Sequence, residues 1–237
     1  MVNHTEFLIW GIIMIEVYPK FYAPYERKQH SKLVDINKPK RDIKPYMTDD
    51  MAWTVSEKLN GINTRIIWDG YSIEVKGRND KTELQGGQLD LQGDLIASQM
   101  DNGNFMFDEL FGTKKVTIFG EVIGTKIQGN PYKLGETQFK VFDILINDVW
   151  VSPEGITKIA EDLNMSTVMH YTVRGWDNVM TNFIEIWKNC RKKKFYFEGL
   201  VAYPAHQPLT KKGERVITKI KVKDFDLEEL ENEYTRG

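Results

Sequence analysis

The sequence predicts an α+β domain built on antiparallel sheets. Three features predict it: short apolar runs separated by tight turns, two amphipathic helical stretches among them, and no regular alternation of strand and helix. At 237 residues, with 41% hydrophobic side chains and six Trp, the chain can bury one full core, and a single large domain is the default.

The elements follow in order. Phe7 to Val17 is apolar except at Gly11 and Glu16, and too short to span a bilayer. It lacks the positive start and small-residue cleavage site of a signal peptide. It reads as a first strand or as an extension ahead of a start at Met14, and a cytoplasmic protein is expected. Residues 18 to 50, rich in Pro, Lys, Arg and Asp, read as an irregular, partly wrapped lead-in, so that 1–50 precedes a domain at 51–237. Trp53–Glu57, Ile62–Trp68 and Tyr71–Lys76 read as strands, the last two joined at the hairpin signal Asp69-Gly70. Residues 79 to 104 are polar and Gly-rich and are expected to be mobile, with a short helix after them at Phe105–Phe111.

Val116–Phe119 and Phe139–Ile146 are strand-like, and Asn147-Asp148 is a turn. Ser152-Pro153-Glu154 combines an N-cap, a first-position Pro and an acidic first turn, and opens a helix with Ile156, Ile159, Ala160 and Leu163 on its apolar face. A second helix fits Asp177–Cys190, with Val179, Met180, Phe183, Ile184 and Trp187 inward. Strands around Phe197–Tyr203 and Glu214–Lys223 complete the pattern.

A net charge of −2 excludes a uniformly basic nucleic-acid binder but leaves room for a local basic groove. The lone cysteine, Cys190, cannot form an internal disulfide and reads as a small core hydrophobe. His4, His30, His170 and His206 show no metal-ligand spacing, so zinc chemistry is unsupported and each reads as structural or exposed.

The sharpest local feature is Glu57-Lys58-Leu59-Asn60-Gly61. A lysine at the end of an apolar strand before a Gly turn is held at a cavity wall, and a buried or cation-flanked amine is easier to deprotonate into a nucleophile. Alone, the pentapeptide reads as a common surface turn. Its companions are Phe119-Gly-Glu121, Val141-Phe142-Asp143, Glu198-Gly-Leu-Val201 and Lys219-Ile-Lys221-Val-Lys223. Acids, an aromatic ring and lysines converging on one pocket are what a nucleoside triphosphate needs: stacking for the base, carboxylates for ribose and metal, cations for phosphates. Separately, Phe142 reads as core, Glu121 and Glu198 as strand-end charges, and the alternating lysines as an exposed edge. Arg191–Lys194 reads as a solvated helix end or a nucleic-acid phosphate contact.

These five segments, in this order, resemble the motifs of the covalent nucleotidyltransferases: ATP-dependent DNA ligases, RNA ligases and mRNA capping enzymes. The chain most resembles the small phage-type RNA ligases related to the second RNA ligase of T-even phages, from about Trp53 to Phe225. DNA ligases and capping enzymes typically carry Arg five positions after the nucleophilic lysine, and RNA ligases carry Asn. Here that residue is Asn63, and Arg78 in Lys76-Gly-Arg78-Asn79 falls where RNA ligases keep an essential arginine. Gly120–Gln128 and Gly213–Lys221 resemble further segments of the same family.

The resemblance implies a single nucleotidyltransferase (adenylyltransferase) domain of antiparallel sheets flanked by helices, with no C-terminal OB-fold or other appended domain. It implies ATP as AMP donor, Mg²⁺ or in its place Mn²⁺, and RNA 5′-phosphate and 3′-OH ends as partners, with no membrane and no obligate protein partner. Lys58 would attack the α-phosphorus of ATP. Glu57, Asn63, Arg78, Glu121, Phe142 and Glu198 would bind the nucleotide, with Glu121 on the ribose and Phe142 stacked on adenine. Arg78 would also touch the RNA 5′-phosphate, and Glu198 and Asn63 would place the metal. Lys219 and Lys221 would neutralise the triphosphate. One departure stands out: most family members have Asp or His at the position of Asn60, and Asn loses the charge. The alternatives are a DNA ligase or capping-type enzyme, or a nucleotide- or nucleic-acid-binding module with impaired catalysis.

Overall fold

The computed structural model describes residues 17–234 apart from 82, 85, 99, 102 and 103, so the apolar run at Phe7 lies almost wholly outside the described residues. In chain order the elements are β1 (Tyr25–Arg27), β2 (Val34–Pro39), β3 (Ala52–Glu57), β4 (Ile62–Trp68), β5 (Ile73–Lys76), α1 (Gly86–Ser98), β6 (Met100–Asp101) and β7 (Asn104–Phe105). There follow α2 (Met106–Phe111), β8 (Val116–Ile123), β9 (Gln138–Ile146), β10 (Val149–Trp150), α3 (Pro153–Asp162), β11 (Ser166–Thr167) and β12 (His170–Arg174). The last are α4 (Trp176–Lys193), β13 (Gly199–Pro204), β14 (Thr218–Lys221) and α5 (Leu227–Tyr234). The architecture is the expected mixed domain of antiparallel sheets with few helices.

Two sheets carry it. The larger runs β10-β9-β8-β4-β5, with β11 added parallel to β9; the smaller runs β12-β3-β13-β14 and is antiparallel throughout. Strand alternation gives each sheet a helix-covered face and a face turned toward the other sheet. On the larger sheet, Ile66, Trp68, Ile118, Val122, Val141 and Ile144 pack with Phe107 and Phe111 of α2 and Ile156 and Ala160 of α3. On the smaller, Trp53, Val55, Leu200, Ala202 and Ile220 pack with Val179, Met180, Phe183 and Ile184 of α4 and Leu230 of α5. Ser152 caps α3 as its sequence requires, its Oγ accepting from the Gly155 N–H at 3.2 Å.

Three segments depart from the sequence reading. Residues 18 to 50 contain the β1–β2 hairpin, and their apolar side chains Ala23, Tyr25, Val34 and Ile43 enter the core beneath α4. The Tyr25 hydroxyl accepts from Trp176 Nε1 at 2.7 Å and shares a hydrogen bond with the Tyr234 hydroxyl at 2.8 Å. Just upstream, the Tyr22 carbonyl accepts from the Lys219 N–H and the Thr218 hydroxyl, which covers the open edge of β14. Residues 79 to 104, expected to be mobile, hold α1 and the β6–β7 pair. Leu84 packs against the core of the larger sheet, and the buried Gln88 donates to Thr64 Oγ1 at 2.8 Å. Finally, α5 closes the chain where no helix was expected, and β12 lines up beside β3.

Candidate functional site

A cleft of about 280 Å³ lies between the facing surfaces of the two sheets. Its position follows from strand parity. On β3, Trp53 and Val55 face the core, so Ser56 and, just beyond the strand, Lys58 face the cleft. Lys58 stays in register because its N–H still donates to the Gly199 carbonyl of β13 at 2.9 Å. On β13 and β14 the same parity sends Val201, Tyr203, Lys219 and Lys221 into the cleft, with Val201 paired to Lys219 and Gly199 to Lys221. From the larger sheet, Asn63 of β4 sits directly opposite Glu121 of β8, and both side chains line the opposite wall.

Phe142 reaches the cleft by a β-bulge. Phe119 pairs with Asp143 while Gly120 pairs with Val141, which leaves Phe142 as an extra residue on β9. Before the bulge Phe139 and Val141 face the helices; after it Ile144 does. The parity switch aims two consecutive side chains, Phe142 and Asp143, into the cleft. Gly120 makes room for this, since a Cβ there would stand 2.2 Å from the Phe139 ring and 2.8 Å from the Lys140 carbonyl.

Around Lys58 the polar groups close on one another. Its Nζ donates to Glu198 Oε2 at 2.9 Å and to the Leu59 carbonyl at 3.1 Å. The other oxygen of Glu198 pairs with Lys221 Nζ. The lysine's immediate charged partner is therefore a carboxylate. The following turn is fixed from three sides. Gly61 N–H donates to Glu121 Oε1 at 3.0 Å, the Asn60 N–H to the Tyr132 hydroxyl at 2.7 Å, and Asn60 Nδ2 to the Tyr196 hydroxyl at 2.9 Å. Gly61 cannot carry a side chain, because its Cβ would lie 2.2 Å from the Val122 carbonyl.

All nine residues expected in a site border this one cleft, eight as lining and Glu198 through its ion pairs with Lys58 and Lys221. Glu57 and Arg78 stand exposed at its rim. Burial pushes the Glu121 carboxyl up to about 7, against the opposing charge of Lys58 and the Gly61 hydrogen bond. Burial also lowers Lys219, helped by the nearby ammonium groups of Lys221 and Lys58. The Glu121 shift has a stability consequence. A carboxyl that ionises near 4.5 when unfolded and near 7 when folded takes up a proton on folding between those values, so its contribution declines as pH rises from 4.5 to 7. Without nucleotide, Glu121→Gln is expected to flatten that decline, read from urea midpoints at pH 5, 6, 7 and 8. An unchanged slope would show that Glu121 ionises normally.

Sequence reasoning gave no role to several groups at the site. Tyr18 and Phe21 line the cleft from the lead-in, and His170 lines it from β12 with its Nδ1 buried and unpartnered. Beneath Phe142 lies a buried cluster: Arg215 donates to Asp143 Oδ2 at 2.5 Å, and the Tyr18 hydroxyl donates to the same oxygen at 2.9 Å. The guanidinium also sits 4.1 Å from the Tyr203 ring centroid and 4.9 Å from that of Trp150. Burial raises the Asp143 carboxyl, opposed by Arg215. An aspartate inside the apolar run Val141–Ile146 was a visible signal for it; Arg215 was read as part of a strand over Glu214–Lys223, but β14 begins only at Thr218 and leaves Arg215 ahead of it. Cys190 is half-buried and borders a separate cleft.

Among the described residues, no three His, Cys, Asp or Glu side chains gather into a metal-binding group, and no helix is long and apolar enough to cross a membrane. No protein of curated function matches the chain. Solved structures of an RNA ligase from Naegleria gruberi share the fold. A variant with ATP and Mn is 19% identical with a TM-score of 0.55, over 82% of this chain and 55% of its own. The same ligase with PPi is 20% identical with a TM-score of 0.55, over 81% and 55%. This chain thus spans little more than half the length of those relatives. The family model described as RNA ligase matches residues 51–221, most of the chain and every segment that builds the cleft except the lead-in, and the chain belongs to the RNA ligase family.

Proposed function

We propose that the chain is an ATP-dependent RNA ligase that joins RNA 3′-OH and 5′-phosphate ends through AMP carried on Lys58. The observation that supports this most is the placement of Lys58 Nζ in a cleft walled by Glu121, Asn63 and Phe142 on one side and by Lys219 and Lys221 on the other. In the first step the Lys58 amine attacks the α-phosphorus. A P–N bond forms, the P–O bond to pyrophosphate breaks, and Glu198, 2.9 Å away, is within reach of the departing proton. Lys219 and Lys221 neutralise the triphosphate, and Lys221 already holds Glu198 in place. In the second step an oxygen of the RNA 5′-phosphate displaces Lys58 and takes the AMP. In the third, the 3′-hydroxyl attacks that phosphate and AMP leaves. Phe142 would stack on adenine, Glu121 would meet the ribose, and the exposed Arg78 would receive the 5′-phosphate.

A divalent ion fits the donor set. Asn63 Oδ1 is buried without a hydrogen-bond partner, and it is the hard oxygen that Mg²⁺ or Mn²⁺ prefers. Each oxygen of Glu198 accepts from one lysine, and each keeps a second lone pair that could meet a metal. Phosphate oxygens and water would supply the remaining ligands, and the bound ion would neutralise phosphate charge.

Incubation with α-labelled ATP and Mg²⁺ is expected to leave label on the denatured protein, stable to alkali and released by acid as a P–N bond is. Absence of label would count against the reading, and labelling from GTP in preference to ATP would favour a capping-type enzyme. The departure at Asn60 is expected to be mild. Its Nδ2 donates to the Tyr196 hydroxyl, and that hydroxyl can reverse and donate to an aspartate. Asn60→Asp should therefore change the rate of labelling by less than about threefold, the scale of one exposed hydrogen bond. A loss of a hundredfold would show that the amide itself is needed.

A further inference from the structure

A second cleft, of about 600 Å³, adjoins the first and shares Glu57 and Leu59 with it. It borders the loop after β7–α2–β8 at Pro131–Lys133, the end of α4, and the segment Phe195–Phe197 that leads to Glu198. Its surroundings are unusual in two ways. Among the described residues, large exposed apolar side chains are few, yet Met169 (80% exposed), Phe195 (67%) and Tyr196 border this one opening. Its charged lining is Lys133, Lys140 and Lys194 against the single acid Glu57, and the exposed Arg191, Lys192 and Lys193 continue the positive charge along the last turn of α4.

Aromatic faces set among cations are the chemistry that takes unpaired nucleotides: rings stack on bases and ammonium groups meet the backbone. The cleft is also wired to the nucleophile. The Tyr132 and Tyr196 rings meet edge to face with centroids 5.3 Å apart, and their hydroxyls hold the backbone and side chain of Asn60, two residues after Lys58. Anything that stacks on this pair rests against the turn that positions Lys58.

We propose that this second cleft holds the unpaired end of the RNA strand bearing the 3′-hydroxyl, with at least one base unstacked against Phe195 and the Tyr132–Tyr196 pair. The proposal rests on the RNA ligase reading above. Arg78, assigned to the 5′-phosphate, lines only the first cleft, which leaves the second for the other strand. In a duplex end pairing and stacking hold each base in the helix, so no single base can splay out into the cleft, and the preferred substrate class is a single-stranded or frayed 3′ end.

The test uses the full chain with a 5′-fluorescein single-stranded RNA hexamer ending in a 3′-hydroxyl, and the same hexamer in a blunt duplex, read by anisotropy. Phe195→Ala is expected to weaken hexamer binding about tenfold, the effect of losing one stacked base. Phe195→Trp should retain it, and the wild type should bind the duplex more weakly than the hexamer. Labelling of Lys58 from ATP should be equal in all three proteins, since Phe195 lies outside the nucleotide cleft, and this also reports that they fold. Hexamer binding indifferent to Phe195→Ala would overturn the proposal and point to a protein occupant instead. A duplex bound as tightly as the hexamer would overturn the single-strand preference. If the wild type takes no label, the ligase reading fails by itself, and the hexamer titration still decides what the second cleft binds.

Discussion

Lys58→Ala is expected to abolish formation of protein-linked AMP, by at least about 10⁴-fold, the scale of losing a covalent nucleophile. The loss should be chemical rather than structural. Lys58 is only half-buried, and removing its ammonium leaves Glu198 still paired with Lys221, so no uncompensated charge is stranded in the cleft. ATP binding, measured by calorimetry, should survive, because Phe142, Glu121, Lys219 and Lys221 remain. Lys58→Arg should fail equally, since a guanidinium keeps its proton and cannot attack phosphorus. Label of wild-type intensity on either variant would move the nucleophile elsewhere in the chain.

The second large effect is on stability. Arg215→Ala is expected to cost about 3–5 kcal/mol, the usual penalty for leaving a buried charge without its partner. Both Asp143 and Arg215 are 2% exposed, and the Tyr18 hydroxyl would be the one remaining hydrogen-bond donor to the Asp143 oxygen that Arg215 contacts. The double variant Asp143→Leu with Arg215→Met should recover most of that loss, because two apolar side chains of similar bulk have no charge to strand. Urea denaturation of the single and double variants measures both. A cost below about 1 kcal/mol for Arg215→Ala would show that water reaches Asp143 and satisfies it.

Much of the scaffold was legible because local chemistry and tertiary context agree. Asp69-Gly70 turns the chain between β4 and β5, Ser152-Pro153 opens α3, and the apolar stripe of α4 is the face it buries. The parts that escaped are those whose stabilisation lies elsewhere in the chain. The β1–β2 hairpin has little apolar pattern of its own and depends on Trp176 and Tyr234, more than a hundred residues away. Within helix α1 the buried Gln88 donates to Thr64 of β4, a contact between residues 24 apart that local pattern does not announce. For the site, Lys58 and its companions could be named from motif order, but no pattern in residues 139 to 146 reveals where the strand slips by one residue. That slip decides whether Phe142 and Asp143 face the cleft or the helices. Asp143 could be flagged as a charge in an apolar run, whereas its partner Arg215 lies 72 residues on in a segment read as a strand, where nothing singled it out.

The lead-in has a consequence of its own. Residues 18 to 22 supply Tyr18 and Phe21 to the cleft wall, a hydroxyl to Asp143, and the backbone contact that covers the edge of β14, on which Lys219 and Lys221 are mounted. The family match begins only at residue 51. The walls of the cleft therefore extend beyond the family signature. A fragment trimmed to the recognisable segment would keep all nine residues expected in the site and yet lose one wall of the chamber that holds them.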